Sequence, residues 1–237
     1  MKKLFVVLIA AMLVAGLAGK AAATAYFQDG DLIRVVYDTS TKVEVGTDLG
    51  TVSSILAGGS LTADSFKSYF TTGGVTDWAN MNVAYFAFQN GTTPTVWAAG
   101  NTQLDTGKSK WSGAYGGWQV MQAPGPYNGS SSTIQTTTDN QSSYVTKMDG
   151  LLGNYITVGA VNYSLASLAG ASNDGGMALY SIPASGANGN HPGSLTGITL
   201  YTNADGTTTT SPVPLPPAVL LLAPGLVGLY GLRRRLS

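Results

Sequence analysis

The side chains that most often perform catalysis are scarce in this chain. It contains no cysteine and one histidine, His191, within the stretch Gly189-Asn190-His191-Pro192-Gly193. A Ser-His-Asp triad or a histidine-containing zinc site would have to use that residue. No partner motif accompanies it, and the surrounding Gly and Pro favour a solvated loop. We therefore predict no histidine-based catalytic or metal site.

One tripeptide, Asp105-Thr106-Gly107, matches the motif of aspartic proteases. Those enzymes need two carboxylates that share a proton, supplied by two motifs or by a dimer. The other candidate, Asp38-Thr39-Ser40, lacks the glycine, so a turn is the simpler interpretation of both. The overlapping Gly107-Lys108-Ser109 imitates the end of a phosphate-binding loop, but Thr102 stands where that loop needs glycine. Neither stretch predicts catalysis.

Three short stretches carry the oxygen ligands that calcium prefers. They are Asp29-Gly30-Asp31, Asn173-Asp174 and Asn203-Ala204-Asp205. None has the ligand spacing of an EF-hand or of a calcium-binding repeat, and ordinary turns with Asx side chains explain them as well. We predict no cofactor, with a structural calcium ion as the open alternative.

An aromatic cluster is the most informative feature of the middle of the chain. Trp97, Trp111, Tyr115, Trp118 and Tyr127 fall within 31 residues and are interleaved with glycine. Exposed flat rings can stack on the faces of sugars, so Trp111 and Trp118, with their polar and glycine neighbours, are candidates for a sugar-binding surface. The alternative is that these rings pack in the core, where Trp and Tyr bury large areas.

The composition favours strands and turns as the elements that position these residues. Glu44 is the only glutamate beside eleven aspartates, and Gly, Ser, Thr and Asn are abundant. Glutamate suits helix interiors, whereas aspartate suits turns and caps. We predict a mostly β fold, a single β-sandwich-like domain with one or two short helices.

The hydrophobic pattern places the strands. Segments 32–37 and 42–45 predict a first hairpin, which Asp48-Leu49-Gly50 would close. Further strands are predicted at 82–89, 95–98, 155–161, 177–182, 195–202 and 207–210.

Two short helices are predicted from apolar residues at helical spacing. The first carries Leu61, Phe66 and Phe70 on one face, with Thr62 as N-cap and Gly73 beyond its end. The second carries Tyr144, Met148 and Leu152 and ends at Gly153. Between them, the Ser/Thr/Asn/Gln-rich residues 128–143 predict a low-complexity loop or a disordered insert.

The amino-terminal segment, residues 1–25, is a predicted secretory signal peptide. Lys2 and Lys3 precede an apolar run, and Ala23 and Ala25 supply the small residues that a signal peptidase reads. Cleavage is predicted before Tyr26. An uncleaved anchor is the alternative, which the short apolar run disfavours.

The carboxy-terminal segment, residues 213–237, contains prolines, an apolar run and arginines in that order. The 20 residues from Val213 to Leu232 carry no charge, which is long enough to cross a hydrocarbon core of about 30 Å. Prolines and glycines shorten the stretch that can be helical, so the predicted transmembrane helix is marginal. Arg233, Arg234 and Arg235 would stay on the cytoplasmic side. A plain membrane anchor leaves the proline cluster unexplained.

These carboxy-terminal features resemble the sorting signal of the PEP-CTERM family in its VPLPA variant. The resemblance is carried by Val213-Pro214-Leu215-Pro216-Pro217-Ala218, the Leu/Gly-rich helix and Arg233-Arg234-Arg235. The chain departs from the pattern in having no Pro-Glu-Pro, and in Pro217, where a small residue is usual. The resemblance implies export across the bacterial inner membrane, transient anchoring through the helix, and removal of the tail by an exosortase-type protease. It also implies a host that makes exopolysaccharide.

Excluding both predicted signals changes the charge of the protein. The whole chain has 12 basic and 12 acidic residues, but residues 26–212 contain six basic and all twelve acidic ones, a formal net charge of −6. A mildly acidic surface disfavours nucleic acid and anionic lipid as partners.

The combined features predict a non-enzymatic protein of the cell surface or exopolysaccharide matrix. The predicted partners are signal peptidase, the exosortase-type protease and exopolysaccharide. One alternative is a lectin-like module that binds that polysaccharide through exposed aromatic rings. A weaker alternative is a secreted hydrolase using aspartate pairs and Glu44, which needs two carboxylates about 5–9.5 Å apart across a cleft.

Overall fold

The computed structural model describes the central body of the chain. The described residues are 27–38, 40–72, 80–92, 94–106, 115, 118–119, 121, 133–149, 156–165, 176–183, 191–203 and 205–211. Within them the fold is mostly β, as predicted, with few short helices. The predicted signal peptide and the predicted sorting tail lie outside the described residues.

The strands and helices are numbered here in chain order. The strands are β1 Asp31–Asp38, β2 Val43–Thr51, β3 Met81–Gln89, β4 Thr95–Gly100, β5 Asp105–Thr106, β6 Thr133–Thr137, β7 Ile156–Val158, β8 Tyr163–Ser164, β9 Met177–Pro183, β10 His191–Pro192, β11 Ser194–Thr202 and β12 Thr208–Thr210. The helices are α1 Val52–Leu56 and α2 Lys67–Thr72, and a π-helical turn covers Val145–Asp149.

A nine-stranded antiparallel sheet forms the frame of the protein. Its strand order is β12-β11-β9-β4-β3-β1-β2-β6, with β8 also paired to β3. The strands β10, β5 and β7, in that order, form a second hydrogen-bonded sheet. The predicted first hairpin is confirmed, since β1 and β2 pair directly from Asp38 opposite Val43.

The central strands are buried on both faces. In β1, Ile33, Val35 and Tyr37 belong to one apolar cluster. Leu32 and Val36 alternate with them and belong to a second cluster on the opposite face. All eight residues of β1 are buried. This burial explains why the strand is apolar except at Asp31, Arg34 and Asp38.

The large sheet curls so that its β12 end approaches β1. Five strand-to-strand steps separate β12 from β1 in the sheet, or about 24 Å in a flat sheet at roughly 4.8 Å per step. Arg34 in β1 nevertheless bonds to Thr208 in β12 at 3.0 Å. One side chain cannot span the distance that would separate these strands in a flat sheet. The sheet therefore curls over the face that carries the second apolar cluster.

The turn predicted at Asp48-Leu49-Gly50 is wrong, because these residues lie inside β2. Asp48 Oδ1 accepts a hydrogen bond from Gly50 N at 2.7 Å, and Gly50 has a φ of 102°. The pairing with β1 shifts register between Asp31 and Ile33. A left-handed glycine inside a strand is typical of a β-bulge, so a turn-like motif here bends the strand instead of ending it.

The first predicted helix begins later than expected, at Lys67 instead of directly after the predicted N-cap Thr62. The residues before it bond to other elements: Thr62 N donates to Leu49 O at 3.1 Å, and Phe66 N donates to Gly206 O at 3.1 Å. These long-range bonds hold the backbone outside the helical hydrogen-bond pattern. Phe66 and Phe70 are buried, as their spacing predicts.

The loop predicted over 128–143 is wrong in its centre, where Thr133–Thr137 forms β6. The strand pairs along β2, from Val43 opposite Thr137 to Thr47 opposite Thr133. Threonine is a good strand former, and an available edge on β2 outweighs the polar composition. Beyond it, the second predicted helix is a π-helical turn, Val145–Asp149, while Leu152 and Gly153 lie outside the described residues.

Candidate functional site

Arg34 is the centre of a buried polar group that fastens the curled sheet. Its Nη1 donates to Gly206 O and to Thr208 Oγ1, both at 3.0 Å. Its Nη2 donates to Thr47 Oγ1 at 2.9 Å and to Asp64 O at 3.2 Å. The acceptors belong to β2, to the chain before α2 and to the β11–β12 hairpin. One guanidinium therefore joins segments 172 residues apart in the chain.

The charge of Arg34 is stabilised by carbonyl and hydroxyl oxygens and by an aromatic ring instead of by an ion pair. Arg34 is fully buried, and among the described residues no carboxylate forms a salt bridge with it. The Phe66 ring lies 5.0 Å from its guanidinium carbon, a cation–π distance. Burial lowers the pKa of Arg34, although Tyr85 and Asp64 oppose that effect. Within the described part of the chain Nε has no hydrogen-bond partner.

The polar group extends through hydroxyls on either side of Arg34. Tyr85 Oη lies 2.7 Å from Thr202 Oγ1 and 3.1 Å from Thr208 Oγ1, and burial raises the pKa of Tyr85. Thr133 Oγ1 donates to the Asp64 carboxylate and lies 3.2 Å from Thr47 Oγ1. We call Arg34, Tyr85, Thr47, Thr133 and Thr208 the arginine clasp. The sequence contained a signal for it, since Arg34 shares a strand face with the apolar Leu32 and Val36.

Asp29, near the start of the body, bonds to two residues of the aromatic cluster, Tyr115 and Trp118. Its Oδ2 accepts from Asn90 N at 3.1 Å and from Tyr115 Oη at 2.8 Å. Its Oδ1 accepts from Trp118 Nε1 at 3.0 Å. Burial, together with the negative Asp29, raises the pKa of Tyr115 to about 12. We call these four residues the Asp29 anchor.

The interpretation of Trp118 as a sugar-stacking platform is corrected by its position in the core. Its side chain is 0% exposed, and its ring lies nearly parallel to Phe27 and Phe88, with centroids 6.3 and 5.9 Å away. The Phe86 ring meets it edge-on at 6.0 Å. A ring enclosed in this way has no free face for a sugar. Trp97 is half-buried, and Trp111 and Tyr127 lie outside the described residues.

Asp31 and Asp48 are buried carboxylates near the start of the body. Burial raises the pKa of Asp31 to about 6, with smaller contributions from Asp48 and Asp29, while a hydrogen bond from Gln28 N opposes the shift. Burial also raises the pKa of Asp48, opposed by the bond from Gly50 N. Each carboxylate accepts a bond from a backbone N–H two or three residues away, which is the behaviour of a turn-forming aspartate.

Glu44, a candidate for the hydrolase alternative, is fully buried. Its two carboxylate oxygens accept from Tyr144 N at 2.7 Å and from Val145 N at 3.0 Å. The backbone N–H groups at the start of the π-helical turn are thus satisfied by β2. This arrangement gives Glu44 a role in holding the turn.

The small sheet brings Asp105 and His191 near each other, which the sequence did not indicate. In β10 and β5, His191 pairs with Thr106 and Pro192 pairs with Asp105. Both predictions of local structure are therefore wrong: His191 is in a strand instead of a loop, and Asp105-Thr106 is a strand instead of a turn. Backbone pairing in the small sheet is the physical reason.

The oxygen-rich turns bond to their own neighbours. Asp205 Oδ1 accepts from Thr207 N at 2.9 Å and Thr207 Oγ1 at 2.6 Å, and these bonds lower the pKa of Asp205. In the portions of the chain that the structure describes, no three His, Cys, Asp or Glu side chains are grouped to hold a metal. Asn173 and Asp174 lie outside those portions.

Comparisons with known proteins give no functional assignment. No protein-family model, curated protein or solved structure significantly matches the chain. Among the helices in the described residues, none has the length and hydrophobicity to span a bilayer.

Proposed function

We propose that the protein is a non-enzymatic component of the bacterial cell surface or exopolysaccharide matrix. A signal peptide ending at Ala25 exports it, and the sorting segment from Val213 to Ala218 with Arg233-Arg234-Arg235 delivers it to an exosortase-type protease. After removal of the tail, the body remains outside the cell among polysaccharide.

One structural observation carries the non-enzymatic part of the proposal. Among the residues whose burial the structure describes, the buried charged ones are Asp31, Arg34, Asp38, Glu44 and Asp48. Each of them bonds to backbone groups of the fold. Catalytic carboxylates need a face open to substrate, whereas these side chains satisfy strands and turns. Such an arrangement suits a domain with a structural role.

The position of the strands relative to the predicted signals also supports the proposal. Phe27, two residues after Ala25, is fully buried and stacks on Trp118. At the other end β12 finishes at Thr210, shortly before Val213. A body whose core starts and whose last strand ends within 26–212 fits removal of both ends. Its curled sheet, with an apolar cluster on each face, fits a β-sandwich-like domain.

The lectin-like alternative loses one of its two candidate residues. With Trp118 in the core, specific stacking on sugars would depend on Trp111. No contact in the described residues favours that alternative over general retention in the matrix.

The proposal is tested with protein purified from the medium of its native host and with exopolysaccharide from the same culture. We expect the protein to co-sediment with the polysaccharide without releasing new reducing ends. His191→Ala and Asp105→Asn should leave this behaviour unchanged. A hydrolytic activity that either substitution abolishes would overturn the non-enzymatic assignment.

A further inference from the structure

The Asn90-Gly91 pair holds a side-chain amide against a backbone nitrogen that can attack it. Asn90 Oδ1 accepts a hydrogen bond from Gly91 N at 3.0 Å, so the amide carbon, one bond from that oxygen, lies beside the same nitrogen. Both residues are exposed and lie between the end of β3 and the start of β4. Gly91, with a φ of 149°, has no side chain to hinder the approach. Proximity of this kind accelerates intramolecular attack.

We propose that Asn90 is a site of spontaneous covalent modification through a cyclic imide. The deprotonated Gly91 nitrogen attacks Asn90 Cγ, a C–N bond forms, and the bond from Cγ to Nδ2 breaks as ammonia leaves. Water then opens the five-membered imide at either carbonyl. Opening at one carbonyl produces aspartate, and opening at the other produces isoaspartate, in which the main chain runs through the former side chain. Water is the only co-reactant.

The two Asx-Gly pairs elsewhere in the described residues are held away from this reaction. In Asp29-Gly30 the nitrogen donates to Phe88 O at 2.7 Å, and the Asp29 carboxylate accepts three bonds. In Asp205-Gly206 the nitrogen donates to Asn203 O at 2.9 Å. An ionised carboxylate is also a poorer electrophile than an amide. The geometry therefore selects Asn90.

The modification would weaken the Asp29 anchor, because Asn90 is part of it. Asn90 N donates to the same Asp29 oxygen that accepts from Tyr115. Either product puts a second carboxylate beside Asp29, and like charges at short range repel. Isoaspartate also lengthens the main chain by one carbon at the donor residue. We expect the contacts of Tyr115 and Trp118 with Asp29 to loosen as conversion proceeds.

The site is tested on the protein secreted by its host, incubated at neutral and at mildly alkaline pH. Peptide mapping by mass spectrometry should show Asn90 converting to a mixture of aspartate and isoaspartate. The rate should rise by close to tenfold per pH unit, in proportion to the deprotonated nitrogen. The Asp29-Gly30 peptide should stay unchanged over the same period. The sequence has two more Asn-Gly pairs, Asn128-Gly129 and Asn188-Gly189, which the map resolves separately.

Two controls make the result decisive. Unfolded protein should convert at all three Asn-Gly pairs, which shows that the products are detected. Asn90 that converts when unfolded and stays intact in the folded protein would overturn the proposed site. Conversion should also change the tryptophan fluorescence, because Trp118 Nε1 donates to Asp29. Asn90→Gln keeps an amide and the backbone donor but should block conversion, whereas Asn90→Asp should show the same fluorescence change without incubation. If conversion and Asn90→Asp both leave that fluorescence unchanged, the coupling to the Asp29 anchor is wrong.

Discussion

At the scale of single residues, Arg34 shows how a buried charge is stabilised without a carboxylate partner. Two backbone carbonyls and two threonine hydroxyls accept its four Nη–H bonds. Each hydrogen bond to a charged group contributes roughly 1.5–3 kcal/mol, and these contributions offset the desolvation of the guanidinium. The clasp therefore depends on all its acceptors being in place.

Replacing Arg34 with alanine is expected to destabilise the fold by about 3–5 kcal/mol, because it leaves several buried acceptors without a donor. Chemical denaturation of the two proteins measures the difference. Lys42→Ala is the matched control, since Lys42 is 55% exposed in a surface ion pair with Asp139. Its effect should stay within about 1 kcal/mol. Equal, small losses for both variants would show that the clasp contributes little.

Asp31 provides a prediction for pH. Its pKa is raised to about 6 in the folded state, so the folded protein binds a proton there more readily than the unfolded chain. Stability from this residue is therefore greater at low pH and decreases as pH rises from about 4 to 6. Asp31→Asn, which keeps an acceptor for Gln28 N, should raise the melting temperature at neutral pH and flatten its pH dependence. The gain should be on the order of 1 kcal/mol, allowing for solvent screening and for Asp48 and Asp29 nearby. A lower melting temperature at neutral pH would contradict this account.

At the scale of elements, the sequence was informative where apolar residues formed continuous runs. The strands corresponding to β1, β3, β4 and β9 are predicted from such runs, and each is present. The predictions failed where pairing with a distant segment decided the local structure. Thr133–Thr137 becomes β6 because β2 lies beside it, and His191–Pro192 becomes β10 through β5. Local composition carries no information on those partners.

The candidate site followed the same pattern. The composition alone shows that the chain has one histidine and no cysteine for catalysis or metal binding. It does not show that Trp118 is enclosed by Phe27, Phe86 and Phe88. Phe27 precedes β1, and Phe86 and Phe88 lie in β3, so all three rings are distant from Trp118 in the chain. The clasp around Arg34 likewise requires the curl of the sheet, which only long-range pairing creates.

Substitutions of Trp118 test how the aromatic cluster packs against the core. Trp118→Ala should cost about 3–5 kcal/mol of stability, as expected for a large buried ring. Trp118→Phe keeps most of the packing but loses the donor to Asp29, and should cost about 1–3 kcal/mol. Neither variant should change co-sedimentation with polysaccharide under conditions where it is folded. Weaker co-sedimentation by a folded Trp118→Ala protein with an unchanged melting curve would restore the sugar-binding role.

At the scale of the whole molecule, the described residues form one curled sheet with two apolar clusters, and the predicted targeting signals lie in the two terminal segments. The sheet curls until β12 meets β1, and both apolar clusters are covered within the described fold. The body carries the excess of acidic residues, whereas half of the basic residues lie in the two predicted signals. Processing at both ends would convert a neutral precursor into an acidic extracellular protein.

The most direct test of this account is the intact mass of the protein recovered from outside its native host. We predict a chain that starts at Tyr26 and ends within the segment from Val213 to Ala218, because Ala23 and Ala25 mark one cleavage and the proline cluster marks the other. Deleting the host's exosortase-type protease should restore the mass of the tail. A mature protein that retains Arg233-Arg234-Arg235 in the unmodified host would contradict the account and leave a plain membrane anchor.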